Sequence, residues 1–108
     1  MMKRRRKIDE QALCKMLKAL SSPNRMRIFN EIRGVGETKV RRGHDCALNK
    51  VIAHLGLGPS IVSHHLSTLV NAGLVKTEKD GKFVKCRVDR EQLEALAQYF
   101  TEAAKKAY

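Results

Sequence analysis

The 108 residues predict a mainly α-helical domain that carries one small β-hairpin towards its C-terminal end. Three observations predict it. Apolar residues recur at helical spacing over four segments before residue 72. An Asp80-Gly81 pair flanked by extended, partly apolar runs signals a hairpin. A last helical stripe follows from about residue 90, so the expected order is α-α-α-α-β-β-α. The length suits one domain with a modest core and is too short for two.

Taken in order, Met1 to Lys7 is a basic arm with five Lys and Arg in succession, read either as a solvated tail or as an extension that touches phosphates. Residues 1–8 are assigned to this arm and residues 9–108 to the domain. From Asp9 to Leu20 the positions Ala12, Leu13, Met16, Leu17 and Leu20 form one stripe, with Cys14 at its flank. Ser22 and Pro23 then read as the N-cap and first residue of a second helix, with Arg25, Ile28, Phe29 and Ile32 on its stripe and a stop near Gly34. The stretch Gly34 to Asp45 shows no sustained period and is expected to be an exposed loop or a short excursion. A short helix from about Ala47 to Leu55 presents Leu48, Val51, Ile52 and Leu55, and the tight connection Gly56-Leu57-Gly58-Pro59 joins it to a helix from Ser60 to Asn71.

That last pair is a helix-turn-helix. Val62, Leu66, Leu69 and Val70 give the second helix a face to bury. The opposite face carries Ser60, Ser63, His64, Ser67 and Thr68, short hydrogen-bonding side chains with no carboxylate among them, which suits an anionic partner. His64 and His65 are adjacent and about 100 degrees apart on a helix, so they face different ways: one is expected to read DNA or phosphate and the other to cap or pack. Gly73 is a stop signal.

The hairpin is expected over Leu74 to Val88. With Asp80-Gly81 as its loop, Thr77 would pair with Val84 and Val75 with Cys86, leaving Lys76, Lys85 and Arg87 on a basic outer face and Lys79 to Lys82 at the tip. Such a hairpin makes a wing against a DNA backbone, although charge on an edge strand also protects against aggregation. Asp89 and Gln92 resemble a capping box that opens a helix with the stripe Leu93, Leu96, Ala97, Phe100, Ala103 or Ala104, and Ala107. The whole is a winged helix-turn-helix.

Composition narrows the partners. Lys and Arg outnumber Asp and Glu by 22 to 11, a formal charge of +11, which points to a polyanion or an acidic surface. Five aromatic side chains and no Trp favour a duplex gripped through grooves and phosphates over single strands held by stacking. No apolar run is long enough to span a bilayer, and the basic start lacks the apolar stretch of a secretory signal, so no membrane association and a cytoplasmic location are expected. Three widely spaced cysteines do not make a disulfide framework. Neither a Ser/His/Asp layout, a phosphate-binding glycine loop nor a close acid pair is present, and the chain is not expected to be an enzyme.

The runs ALSSPNRMRIFNEI, LGLGPSIVSHHLSTLVNAGLV and DGKFVKCRV resemble, in order and spacing, the ArsR/SmtB family of dimeric winged helix-turn-helix repressors, over roughly residues 10 to 100. The resemblance implies that Ser60 to Asn71 is the recognition helix, with contacts from Ser60, Ser63 and His64, and that Leu74 to Val88 is the wing. It also implies that the first and last helices form a homodimer interface and that the dimer reads a pseudo-palindromic operator in double-stranded DNA. Three departures concern detail. Pro59 stands where many members place a Gln; the positions of the family's Cys-x-Cys pair fall on Ala47 and Asn49, one residue past Cys46; and no histidine follows His65, so the zinc site of the last helix looks absent.

The candidate inducer site is therefore local. Cys46 and His44 lie two residues apart at a helix start, where the helix dipole favours a thiolate. With Cys14 or groups from a second protomer they could take a soft metal ion, As(III) or an oxidant. Against this stands a partly buried, inert thiol, since a structural metal needs about four ligands and an arsenical about three thiolates, and local spacing supplies two groups at best. Cys86, on the inward face of the hairpin, is expected to pack. Against a repressor released by a metal, metalloid or thiol-directed inducer stand a ligand-independent or architectural DNA-binding module with structural cysteines, and a winged helix used for protein or RNA contacts.

Overall fold

The computed structural model describes residues 8–35, 37–41, 56–80 and 83–107. Helix α1 spans Glu10–Leu20 and is opened by Asp9, whose carboxylate accepts from the Ala12 backbone N–H at 2.7 Å. Helix α2 spans Pro23–Val35; the Ser22 hydroxyl accepts from the Arg25 N–H at 3.4 Å, and Pro23 supplies the first helical residue that has no N–H to satisfy. Strand β1 (Glu37–Arg41) follows, then helix α3 (Pro59–Asn71), strands β2 (Val75–Asp80) and β3 (Phe83–Val88), and helix α4 (Arg90–Lys106). The result is mainly helical with a small antiparallel hairpin. The expected helix Ala47 to Leu55 lies outside the described residues, as do the arm Met1 to Lys7, His54 and the tip residues Gly81 and Lys82.

The sheet departs from expectation in two ways. Residues 37–41, expected to be loop, form a strand, and the sheet order is β1-β3-β2. Thr38 and Val40 lie opposite Cys86 and Val84, so a five-residue strand with only two residues of high β-propensity is recruited by an open edge of β3 rather than by its own pattern. The hairpin register also differs: Thr77 lies opposite Cys86, Val75 opposite Val88 and Asp80 opposite Phe83. The pairing therefore extends to Asp80 and Phe83, the last residue of β2 and the first of β3. The shift is two residues, an even number, so each side chain keeps the face it was expected to take.

Beneath the sheet lies one core. Met16 and Ala19 of α1, Ile28, Phe29 and Ile32 of α2, Val62 and Leu69 of α3, and Leu74, Val75 and Cys86 of the wing are buried together, with Leu20, Leu66, Val70, Val88, Leu93 and Leu96 packed around them. Helix α3 ends in a Schellman arrangement: Gly73 N–H donates to Val70 O and Leu74 N–H to Leu69 O, both at 3.0 Å, with Gly73 at a φ of 83°. The same junction receives α4. Asp89 N–H donates to Leu74 O at 2.9 Å, and the Gln92 side chain lies against Gly73. Only half of the expected capping box is present, because Asp89 Oδ1 accepts from Gln92 N–H at 3.2 Å while the Asp89 N–H is already spent on the wing.

Candidate nucleic-acid interface

Helix α3 fixes the site because its two faces differ so sharply. Val62 and Leu69 anchor it in the core, and the opposite arc presents Ser60, Ser63, His64 and Ser67, all exposed. No Asp or Glu occurs between residues 59 and 71. Gly58 before Pro59 gives the first turn no side-chain cap; the Ile61 and Val62 N–H groups donate to Gly58 O at 3.1 and 3.0 Å, and the positive end of the helix dipole lies at this terminus. Thr68 departs from this arc. It is half-buried, its hydroxyl donates to His64 O at 3.1 Å, and it lines a groove facing α1.

The two histidines diverge as their spacing requires. His64 is exposed and His65 half-buried, their rings 5.9 Å apart and tilted by 51°. Nδ1 of His65 is buried with no hydrogen-bond partner among the described residues. Burial first, then the charges of Arg25 and His64, hold its pKa below the ordinary histidine value.

In the wing, Arg87 is exposed and lies between Lys76 and Glu37 in register, while half-buried Lys85 lies between Glu78 and Lys39. The outer face is thus basic but interrupted by two glutamates, which the hairpin pattern alone understates. Lys79 takes its place on β2 opposite Val84, and Lys82 lies outside the described residues. Lys76 also reaches back to Asp89, Nζ to Oδ2 3.8 Å, tying the wing to the start of α4.

The two described thiols differ in exposure. Cys14 is exposed on α1, Cys86 is fully buried in the core, neither is in a disulfide, and Cys46 and His44 lie outside the described residues. No group of three or more His, Cys, Asp or Glu side chains among the described residues could hold a metal ion. Arg25 carries a role that periodicity misses. Its spacing puts it on the apolar stripe of α2, yet its Nε donates to Ala19 O at 2.7 Å and its Nη2 contacts Lys18 O at 3.4 Å, capping the C-terminus of α1. The signal for it is the cation two residues after a Ser-Pro helix start.

Residues 22–77 match the family model described as bacterial regulatory protein, arsR family. The chain belongs to the ArsR family. It is a DNA-binding transcriptional regulator with a winged helix-turn-helix, and not an enzyme. Among solved structures, the ArsR-family chain resembles one described as a possible transcriptional regulator for arsenical resistance, at 32% identity over 82% of each chain with a TM-score of 0.63. It shares its fold with an ArsR-like transcriptional regulator from Rhodococcus sp. RHA1 (20% identity, 89% of this chain and 82% of that one, TM-score 0.70). The transcriptional repressor PagR of Bacillus anthracis has the fold too (21% identity, 83% and 93% coverage, TM-score 0.60). No curated protein sequence matches the chain. No helix among the described residues is long and apolar enough to cross a membrane.

Proposed function

We propose that this ArsR-family protein is a homodimeric, sequence-specific repressor that binds a pseudo-palindromic operator through α3 and leaves it when an inducer engages its thiols. The observation that carries the reading is the exposed, carboxylate-free arc Ser60, Ser63, His64 and Ser67 on a helix whose other face is locked in the core. These residues set register and part of the sequence choice, and the charge of +11 supplies affinity that falls with salt. Lys85 and Arg87, with Lys79 and Lys82 towards the tip, flank them as backbone contacts.

The test uses a duplex enriched by the protein from a random library. Ser63→Ala combined with His64→Ala should cost about 1–3 kcal/mol of discrimination against a scrambled duplex, while salt-dependent binding to any duplex persists. Unchanged discrimination would remove α3 as the reader.

Release by an inducer rests on Cys46 with His44 and Cys14, and on the family's coupling of ligand to DNA, typically about 1–3 kcal/mol. Arsenite or a soft metal ion should lower operator affinity about 5- to 150-fold in the wild type and much less in Cys46→Ser. The full burial of Cys86, which leaves that thiol to packing, favours the second reading, a ligand-independent DNA-binding module. Insensitivity of the wild-type complex to arsenite, metals and persulfide would select it.

A further inference from the structure

The recognition helix carries no Lys or Arg of its own, and cations lie beside it instead. Between α1, the start of α2 and the C-terminal half of α3 runs a groove of about 330 Å³, lined by Lys15, Lys18, Arg25, Thr68 and Asn71 over a floor of Ala19 and Ala72. Its lining holds three cations and no carboxylate. Lys15 and Lys18 stand three residues apart, one helical turn, so their ammonium groups project from neighbouring positions of α1. Arg25 is held by the Ala19 and Lys18 carbonyls, which orients its fork without neutralising it. On the facing wall Asn71 is exposed, and the Thr68 hydroxyl, its proton given to His64 O, keeps lone pairs that can receive an N–H.

Position decides what such a groove takes. Thr68 and Asn71 follow His64 and Ser67 by four residues, so the groove opens directly beside the arc that faces the duplex. A helix lying in a groove about 12 Å wide has a phosphate strand on each flank. One flank of α3 is met by this groove. The positive field there is also felt inside the protein, where Arg25 contributes to the lowered pKa of His65.

We propose that the Lys15–Lys18–Arg25 groove is a phosphodiester clamp that holds the backbone strand flanking the recognition helix, so that α1 contributes directly to DNA binding. The clamp rests on α3 being the DNA-reading helix. It positions the duplex and carries no base information.

Lys15→Gln combined with Lys18→Gln tests it on the enriched duplex. The clamp predicts a shallower slope of log affinity against log salt, by about 0.9 for each phosphate no longer neutralised, with sequence discrimination unchanged. A methylphosphonate scan locates the phosphates: neutralising one or two flanking ones per half-site should weaken the wild type and leave the double variant indifferent at those positions. An unchanged slope, or a methylphosphonate effect that persists in the variant, overturns the clamp. A response of the Lys15 and Lys18 NMR signals to inorganic phosphate, with the slope unchanged, overturns it in favour of a small-anion site. Failure of the wild type to prefer any duplex would instead remove the reading of α3 itself. Circular dichroism melts check that the variants fold, as replacement of exposed lysines should allow.

Discussion

At the scale of the residue, His65 records what docking a recognition helix costs. Its Nδ1 has lost water without gaining a partner among the described residues, and burial, Arg25 and His64 all disfavour its protonated form. The folded protein therefore binds this proton less tightly than the unfolded chain does. Stability rises with pH wherever the unfolded state carries more protons, so it should fall as pH drops through the unfolded histidine value of about 6.5 and level off once the folded pKa is passed. Urea midpoints between about pH 7.5 and 5.5, on either side of that value, should show this fall in the wild type and a smaller one in His65→Gln. Parallel curves would place the proton elsewhere. Adjacency of His64 and His65 is enough to show that they point apart. Which of them meets the core depends on where Arg25 and α1 lie, and that is not written in the local period.

At the scale of the element, the junction after α3 holds the recognition helix, the wing and α4 together at Gly73, Leu74 and Asp89. Gly73 has a φ of 83°, and a Cβ there would lie 3.2 Å from Gln92 Nε2. Gly73→Ala should therefore cost about 1–3 kcal/mol for the left-handed backbone, or roughly 4 °C or more in Tm per kcal/mol for a domain of this size. Gly34→Ala is the control. It lies within α2 with nothing within 4 Å of a new Cβ, and should stabilise by about 0.5–1 kcal/mol. Equal melting shifts for the two would show that Gly73 carries no special constraint. The same contrast explains what is legible in the sequence. Stripes with a clear period and a capping residue, such as Ser22 before α2 and Gly73 after α3, mark the helices. Strand β1 escapes such a reading because Glu37, Lys39 and Arg41 outnumber Thr38 and Val40, and only the vacant edge of β3 makes them a strand. The hairpin register is set by the Asp80–Phe83 pair, which turn chemistry alone does not rank above an Asp80-Gly81 loop.

At the scale of the whole molecule, the terminal helices carry apolar surface that one chain does not cover. Leu17 of α1 and Tyr99 and Phe100 of α4 are 42%, 41% and 47% exposed, and Ala95 is the one fully buried residue of the seventeen in α4. Surface of this kind, rimmed by the charged groups of Glu94, Glu102 and Lys105, is what the proposed homodimer would cover, because a closed two-fold pair lets each protomer cover the other's stripe. Burial of an aromatic ring of this size contributes about 1.5–3 kcal/mol, and the two-fold axis counts it twice. Phe100→Asp should therefore raise the dimer dissociation constant by about 100-fold or more, measured by sedimentation equilibrium. Loss of the dimer should weaken binding to a duplex with two half-sites while leaving a single half-site duplex bound as before, because α3 and its core packing are untouched. A wild-type mass of one chain at micromolar concentration would dismiss the two-fold reading. A dimer that resists Phe100→Asp would move the interface away from α4.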